Sequence, residues 1–223
     1  MNILLEKSII ASIHAGNEIL DVYETKFEVE YKEDNSPLTE ADKRSNDKII
    51  SLLSEFNIPF LTEETEEAGY EERKNWTRVW IIDPLDGTKE FVKRNGEFTV
   101  NIALAENGRP ILGVIYSPVL KDLYFAAKDV GSFKVDRHDV LHLLNENKIT
   151  LENLMKVAQK LPVASTRNKY TVVASRSHLS SETYAHLEAL KKEKGEVELI
   201  NTGSSIDFPS TVNFTTCLGG FTS

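Results

Sequence analysis

The stretch Val79-Trp80-Ile81-Ile82-Asp83-Pro84-Leu85-Asp86-Gly87-Thr88 decides the fold. Its leading apolar run has the profile of a strand buried on both faces, and Asp83-Pro84 stops it. Proline removes a backbone donor and restricts the residue before it, so the chain is expected to turn out of the sheet there. Asp83 and Asp86 would then converge at the carboxyl end of a buried strand. If Gly87 and Thr88 open a helix at Lys89-Glu90-Phe91, their backbone N–H groups would form a phosphate cradle. Taken alone, Asp-x-x-Asp-Gly also reads as an acidic turn in which glycine supplies an unusual backbone angle. The neighbouring sequence has to decide between the two.

Upstream, Leu61-Thr62-Glu63-Glu64 again places acids directly after a short apolar strand. Before it, Thr39-Glu40-Ala41-Asp42 opens a helix that carries Ile49, Ile50, Leu52, Leu53 and Phe56 and ends before Pro59. Asp42 is either a further carboxylate for the same site or the closing acid of a capping box with Thr39, a device worth ~1 kcal/mol without any metal. A helical stripe of Ile9, Ile13 and Leu20 predicts a first helix over roughly the first two dozen residues, and residues 27–32 alternate as a short strand. Downstream, Phe98 to Leu104 and Ile111 to Tyr116 flank Asn107-Gly108 and predict a hairpin. Residues 131–167 are polar and irregular, with a helix predicted from Leu151 to Leu161, and read as an inserted excursion. Beyond them come a strand at Tyr170 to Ala174, a helix from Ser181 to Lys194 closed by Gly195, and a strand at Val197 to Ile200. Trp76 and Trp80 are expected in the core.

The chain has 223 residues, 40% of them hydrophobic, enough for a substantial core. Acidic residues number 35 against 26 basic ones, giving a net charge of -9, which argues against a nucleic acid polymer as partner. Small anions remain compatible, because a metal or a helix N-terminus reverses the field locally. The single Cys217 allows no internal disulfide and no multi-cysteine zinc site. Residues 1–7 show neither a basic leader nor an uninterrupted apolar core, so no signal peptide is expected. The expected location is the cytoplasm, with peripheral contact at the inner membrane face compatible. His138 and His142 share i, i+4 spacing but have no third partner in a zinc pattern, so a solvated helix face is expected.

Three segments in this order and spacing carry a resemblance: Asp34-x-Ser36-Pro37-Leu38-Thr39-x-Ala41-Asp42, then Glu63-Glu64, then residues 80–91. Together they resemble the inositol monophosphatase-like superfamily of magnesium-dependent, lithium-sensitive phosphatases. Residues 93–104, Ser175-Arg176-Ser177-His178 and Gly203-Ser204-Ser205 are similar to its 3'(2'),5'-bisphosphate nucleotidase branch, associated with sulfur assimilation. The resemblance covers about residues 3 to 206 and is weakest from 131 to 167. It implies a layered α/β sandwich with the site in the cleft between two sub-domains: residues 1–130 holding the metal, and 131–223 a partial α/β unit with the insertion at 131–167.

The resemblance further implies that Glu63, Asp83 and the Leu85 carbonyl hold a first Mg²⁺ and that Asp83 and Asp86 hold a second. A third, looser ion would lie near Asp42 and Glu63. Thr88 and Glu63 would orient the attacking water. Gly87 and Thr88 would meet the scissile phosphate, while Ser177, His178, Gly203, Ser204 and Ser205 would hold the rest of a nucleotide bisphosphate. The residue-level alternatives are a helix cap at Ser177 with His178 exposed, and an ordinary loop at Gly203. The implied reaction converts adenosine 3',5'-bisphosphate to AMP and phosphate; an inositol or sugar phosphate, or metal binding without turnover, are the alternatives. Oligomeric state is not legible.

After Ile206 the pattern breaks. The branch usually has a lysine where this chain has Asp207, and no Trp-Asp-x-x-Ala-Gly motif occurs, although in the family its aspartate completes the second metal site. The expectation is a C-terminal sub-domain left incomplete, by a frame slip near residue 206.

Overall fold

The computed structural model describes residues 1–26, 28–31, 37–64, 68–161, 170–175 and 181–202. The predicted first helix is α1 (Asn2–Tyr23), which buries Leu5, Ile9, Ile13 and Ile19 along one stripe. Arg94 holds its carboxyl end, donating Nη1 to the Tyr23 carbonyl at 2.5 Å and Nη2 to that of Thr25, with the guanidinium over the Tyr23 ring. Short antiparallel strands β1 (Val29–Tyr31) and β2 (Pro37–Thr39) lead into α2 (Glu40–Leu53). The polar turn expected at Asp34 to Ser36 lies outside the described residues.

Then follow β3 (Phe60–Thr62), a one-turn α3 (Tyr70–Arg73), β4 (Arg78–Asp86), α4 (Thr88–Val92), β5 (Thr99–Glu106), β6 (Arg109–Tyr116), β7 (Leu123–Ala127) and β8 (Gly131–Val135). After α5 (Arg137–Asn145) and α6 (Leu151–Val157), β9 (Gln159–Leu161) completes a seven-stranded sheet ordered β3-β4-β5-β6-β7-β8-β9. Every neighbouring pair in it is antiparallel except β3 and β4. The hairpin turns at Asn107-Gly108 as predicted. A separate unit joins β10 (Tyr170–Ser175) through α7 (Ser181–Lys194) to β11 (Val197–Thr202), in parallel, with Gly195 closing the helix.

α1 packs on β5, β6, β7 and α2, and α2 packs on β4, so two helices cover one face of the sheet. Leu5, Ile9, Ile49, Leu53, Trp80, Phe91, Phe98 and Tyr116 are wholly excluded from solvent there. Gly16 sets the approach: a Cβ added to it would lie 2.7 Å from Tyr116 Cε1 and 3.1 Å from Pro118 Cγ.

Five expectations need correction. β4 does not leave the sheet at Pro84 but runs on to Asp86, because proline is accommodated at an irregularity in the ladder. It is also not buried on both faces: Trp80 and Ile82 are, whereas Val79 and Ile81 on the other face are partly open. Residues 131–161 are no inserted excursion, since β8 and β9 extend the sheet that β3 to β7 begin, across the expected boundary at 130. Their polarity reflects the edge strand β9, where Gln159 and Lys160 meet solvent, and the exposed faces of α5 and α6; the helix predicted to Leu161 stops at Val157 so that β9 can pair with β8. Trp76 is half-buried in a surface hollow beside Tyr70 and Arg73 and does not enter the core.

Candidate active site

β3 and β4 are parallel, with Thr62 beside Ile82, so the residues that follow, Glu63 and Asp83, are delivered at the same carboxyl edge. Asp83 and Asp86 are three residues apart, and in a regular strand they would point to opposite faces. Opposite β4, however, Asp83 pairs with Asn101 and Asp86 with Thr99, so three steps on β4 match two on β5. One extra residue has been inserted, and this bulge turns both carboxylates to the same face. Pro84 lies within the bulge, where its missing N–H leaves no rung empty. Thr99 Oγ1 and Asn101 Nδ2 each lie 3.3 Å from Asp86 Oδ2 and donate to it.

Asp42 arrives from the start of α2. Thr39 N donates to its Oδ2 at 2.8 Å and Thr39 Oγ1 donates to the same oxygen at 2.6 Å, so the capping box is formed. Its other oxygen faces the bulge: Thr88 Oγ1 is 3.2 Å from Asp42 Oδ1 and 3.1 Å from the Leu85 carbonyl. A hydroxyl has one proton, so these two acceptors compete for it. Gly87, with φ of 92°, makes the left-handed step that starts α4 at Thr88.

The electrostatics are those of acids crowded together. Burial pushes the Asp83 carboxyl well up, and the charges of Asp86, Glu63 and Asp42 push it further. Its Oδ1 is shut off from solvent and has no hydrogen-bond partner. Burial also raises Asp42, to about 6, with Glu64 adding to the rise and the Thr39 hydrogen bonds opposing it. Glu63 is exposed at the rim, and Glu64 is half-buried. Among the described residues no trio of His, Cys, Asp or Glu side chains is drawn together tightly enough to enclose an ion. The donor chemistry nonetheless fits a hard divalent cation: all donors are oxygens, their charges reinforce one another, and the buried Asp83 Oδ1 lacks a partner.

The structure thus gathers Asp42, Glu63, Asp83, Leu85, Asp86, Gly87 and Thr88 into one region, while Ser177, His178, Gly203, Ser204 and Ser205 lie outside the described residues. His138 and His142 sit exposed on α5 beside Asp139 and Glu146, a solvated face as expected. Sequence reading missed Thr99, Asn101, Ser45, Asn46 and Thr62 as supports of the site. The signal for the first two was present, since Thr99 and Asn101 are the polar i, i+2 pair in an otherwise apolar strand. All five are buried.

The chain belongs to the inositol monophosphatase family, whose model matches residues 4–206, a span that takes in this sheet, its helical layer and the acid-bearing bulge. Within that family the chain is similar to the 3'(2'),5'-bisphosphate nucleotidase CysQ of Salmonella typhimurium, being 40% identical over 209 residues, which cover 92% of this chain and 75% of that protein. The crystal structure of CysQ from Bacteroides thetaiotaomicron matches at a TM-score of 0.79 and 42% identity, over 92% of this chain and 74% of that one. An IMPase/NADP phosphatase complexed with Mg²⁺ and phosphate shares the fold alone, at a TM-score of 0.60 and 18% identity, over 86% of this chain and 64% of that one.

Proposed function

We propose that the chain is a Mg²⁺-dependent phosphomonoesterase that removes the 3'-phosphate of adenosine 3',5'-bisphosphate, giving AMP and phosphate. The observation that carries this reading is the bulge that turns Asp83 and Asp86 to one face beside Asp42 and Glu63, with the buried Asp83 Oδ1 unpartnered. The Salmonella relative, named as a bisphosphate nucleotidase, supplies the substrate class. Glu63, Asp83 and the Leu85 carbonyl would hold one ion, Asp83 and Asp86 a second, and Asp42 with Glu63 a third. When bound, Mg²⁺ makes water a usable nucleophile near neutral pH and neutralises charge on the phosphate.

The protein groups do the rest. Thr88, anchored between Asp42 and Leu85, holds the attacking water together with Glu63. The water oxygen bonds to phosphorus, the bond from phosphorus to the 3' oxygen breaks, and that oxygen takes up a proton. Gly87 and Thr88 meet the transferred phosphate with backbone N–H groups, and Ser177, His178, Gly203, Ser204 and Ser205 receive the nucleotide. Residence in the cytoplasm belongs to the same proposal.

Phosphate release from adenosine 3',5'-bisphosphate, with and without Mg²⁺, tests the reading when the chain is compared with its Asp83→Asn variant. Turnover that needs both Mg²⁺ and Asp83 is expected. Faster release from inositol 1-phosphate than from the nucleotide would overturn the substrate assignment, and turnover indifferent to Asp83 would overturn the site.

A further inference from the structure

The inner face of α2 carries three polar side chains at i, i+3 and i+4, namely Asp42, Ser45 and Asn46, each no more than 3% exposed. Each reaches a different segment of the site. Asp42 accepts from Thr88 at the start of α4. Ser45 Oγ donates to the Pro84 carbonyl inside the bulge at 2.6 Å. Asn46 Oδ1 accepts from Thr62 Oγ1 at 2.6 Å, at the end of β3. Buried polar groups of this kind are costly unless paired, and here the pairings fix three chain segments to one rigid helix.

The Asn46–Thr62 bond has the most to hold. β3 is three residues long and, among the described residues, lies at the edge of the sheet and pairs with β4 alone. Its last residue, Thr62, is 4% exposed, and the next, Glu63, is exposed to solvent. Thr62 Oγ1 also accepts from Glu64 N at 3.4 Å, so one hydroxyl sits between the helix and the acidic turn. A short edge ladder constrains the direction of its end weakly, whereas a buried side-chain bond to a neighbouring helix constrains it well.

We infer that Asn46 and Thr62 are positioning residues that aim the Glu63 carboxylate at Asp83, and so set the affinity of the site for its divalent cation. The inference rests on the functional reading given above. Removing such a support typically weakens metal binding about 10- to 100-fold. Thr62→Val is nearly isosteric and deletes only the hydroxyl. Asn46→Ala removes the other partner.

The experiment is a thermal-shift titration with MgCl₂ alone, without substrate, followed by steady-state kinetics on adenosine 3',5'-bisphosphate. Each variant is expected to raise the half-saturating Mg²⁺ concentration at least about tenfold, in titration and turnover alike, with KM for the nucleotide unchanged at saturating Mg²⁺. Thr62→Ser should restore the wild-type value, and the double variant should be no worse than either single one. Variants that melt lower but keep half-saturation within twofold of wild type would overturn the inference, leaving the bond a structural one. A Thr62→Val chain that fails to fold leaves Asn46→Ala and Thr62→Ser to decide. A wild-type chain with no response to Mg²⁺ would overturn the functional reading itself, and this inference with it.

Discussion

Thr88 and Asp42, 46 residues apart in sequence, meet with Thr88 Oγ1 3.2 Å from Asp42 Oδ1. The other oxygen of the same carboxylate closes the capping box at Thr39. A helix cap and a site acid, which the sequence offers as alternatives, are one side chain using its two oxygens separately.

Asp42→Asn therefore separates the two roles. The amide oxygen still accepts from Thr39 N, so the cap survives, while the buried charge is lost. With its carboxyl raised to about 6 from an ordinary 3.8, ionised Asp42 destabilises the metal-free fold at pH 7.5 by on the order of 2 to 3 kcal/mol. The variant should melt higher without metal, by roughly 4 °C or more, and lose at least about tenfold in turnover. Melting in EDTA and phosphate release check the two halves; a lower melting point would show that the charge itself supports the fold.

The pH dependence follows with a definite sign. Asp42 and Asp83 both bind protons more tightly folded than unfolded. Such groups contribute stability that is complete below the unfolded value near 3.8 and is lost as pH rises through the folded one, about 6 for Asp42. In EDTA the melting temperature should fall between pH 5 and pH 7.5. Saturating Mg²⁺ should offset that fall, since it binds the deprotonated acids; at 100 times its dissociation constant it adds about 2.7 kcal/mol. A melting temperature in EDTA that rises across this interval would contradict the crowding of these carboxylates.

Much of the fold was legible because its signals are local. The stripe of α1, the Asn107-Gly108 hairpin and the Thr39 cap each depend on residues within a few positions of one another. Asp83, Asp86, Glu63 and Asp42 were legible as acids after strands or at a helix start. What was not legible depends on pairing. The convergence of Asp83 and Asp86 is expected from a turn at Pro84, but the bulge that brings it about exists only against Thr99 and Asn101 and is not written in Asp-Pro-Leu-Asp. β8 and β9 were missed for a similar reason, since Ser132 and Lys134 read as polar irregularity until β9 is seen beside them.

The contact between α1 and the sheet gives a prediction about stability alone. Gly16→Ala gains about 1 kcal/mol of helix propensity, but its Cβ would stand 2.7 Å from a Tyr116 ring that is itself fully buried. Overpacking of that kind costs about 1 to 3 kcal/mol, so the net change should be a lower melting temperature, and a larger drop for Gly16→Val. A stabilised Gly16→Ala chain would mean that Tyr116 moves aside freely.

The bulge itself is testable through the residues that face it. Thr99 is wholly buried and donates to Asp86 Oδ2, the same oxygen that accepts from Asn101 Nδ2. Thr99→Val keeps the shape and the strand propensity of residue 99 but withdraws a donor that orients Asp86. Under the proposed function Asp86 serves only one of the two main ions, so the loss should appear as a higher Mg²⁺ requirement, by about tenfold or more, with little change in melting temperature in EDTA. Thr99→Ser should recover most of it. Asn101→Asp adds a further negative charge opposite Asp83 and should lower the melting temperature in EDTA more than Thr99→Val does, since like charges this close repel. Equal Mg²⁺ requirements for wild type and Thr99→Val would show that the Thr99 hydroxyl does not orient Asp86 for the cation.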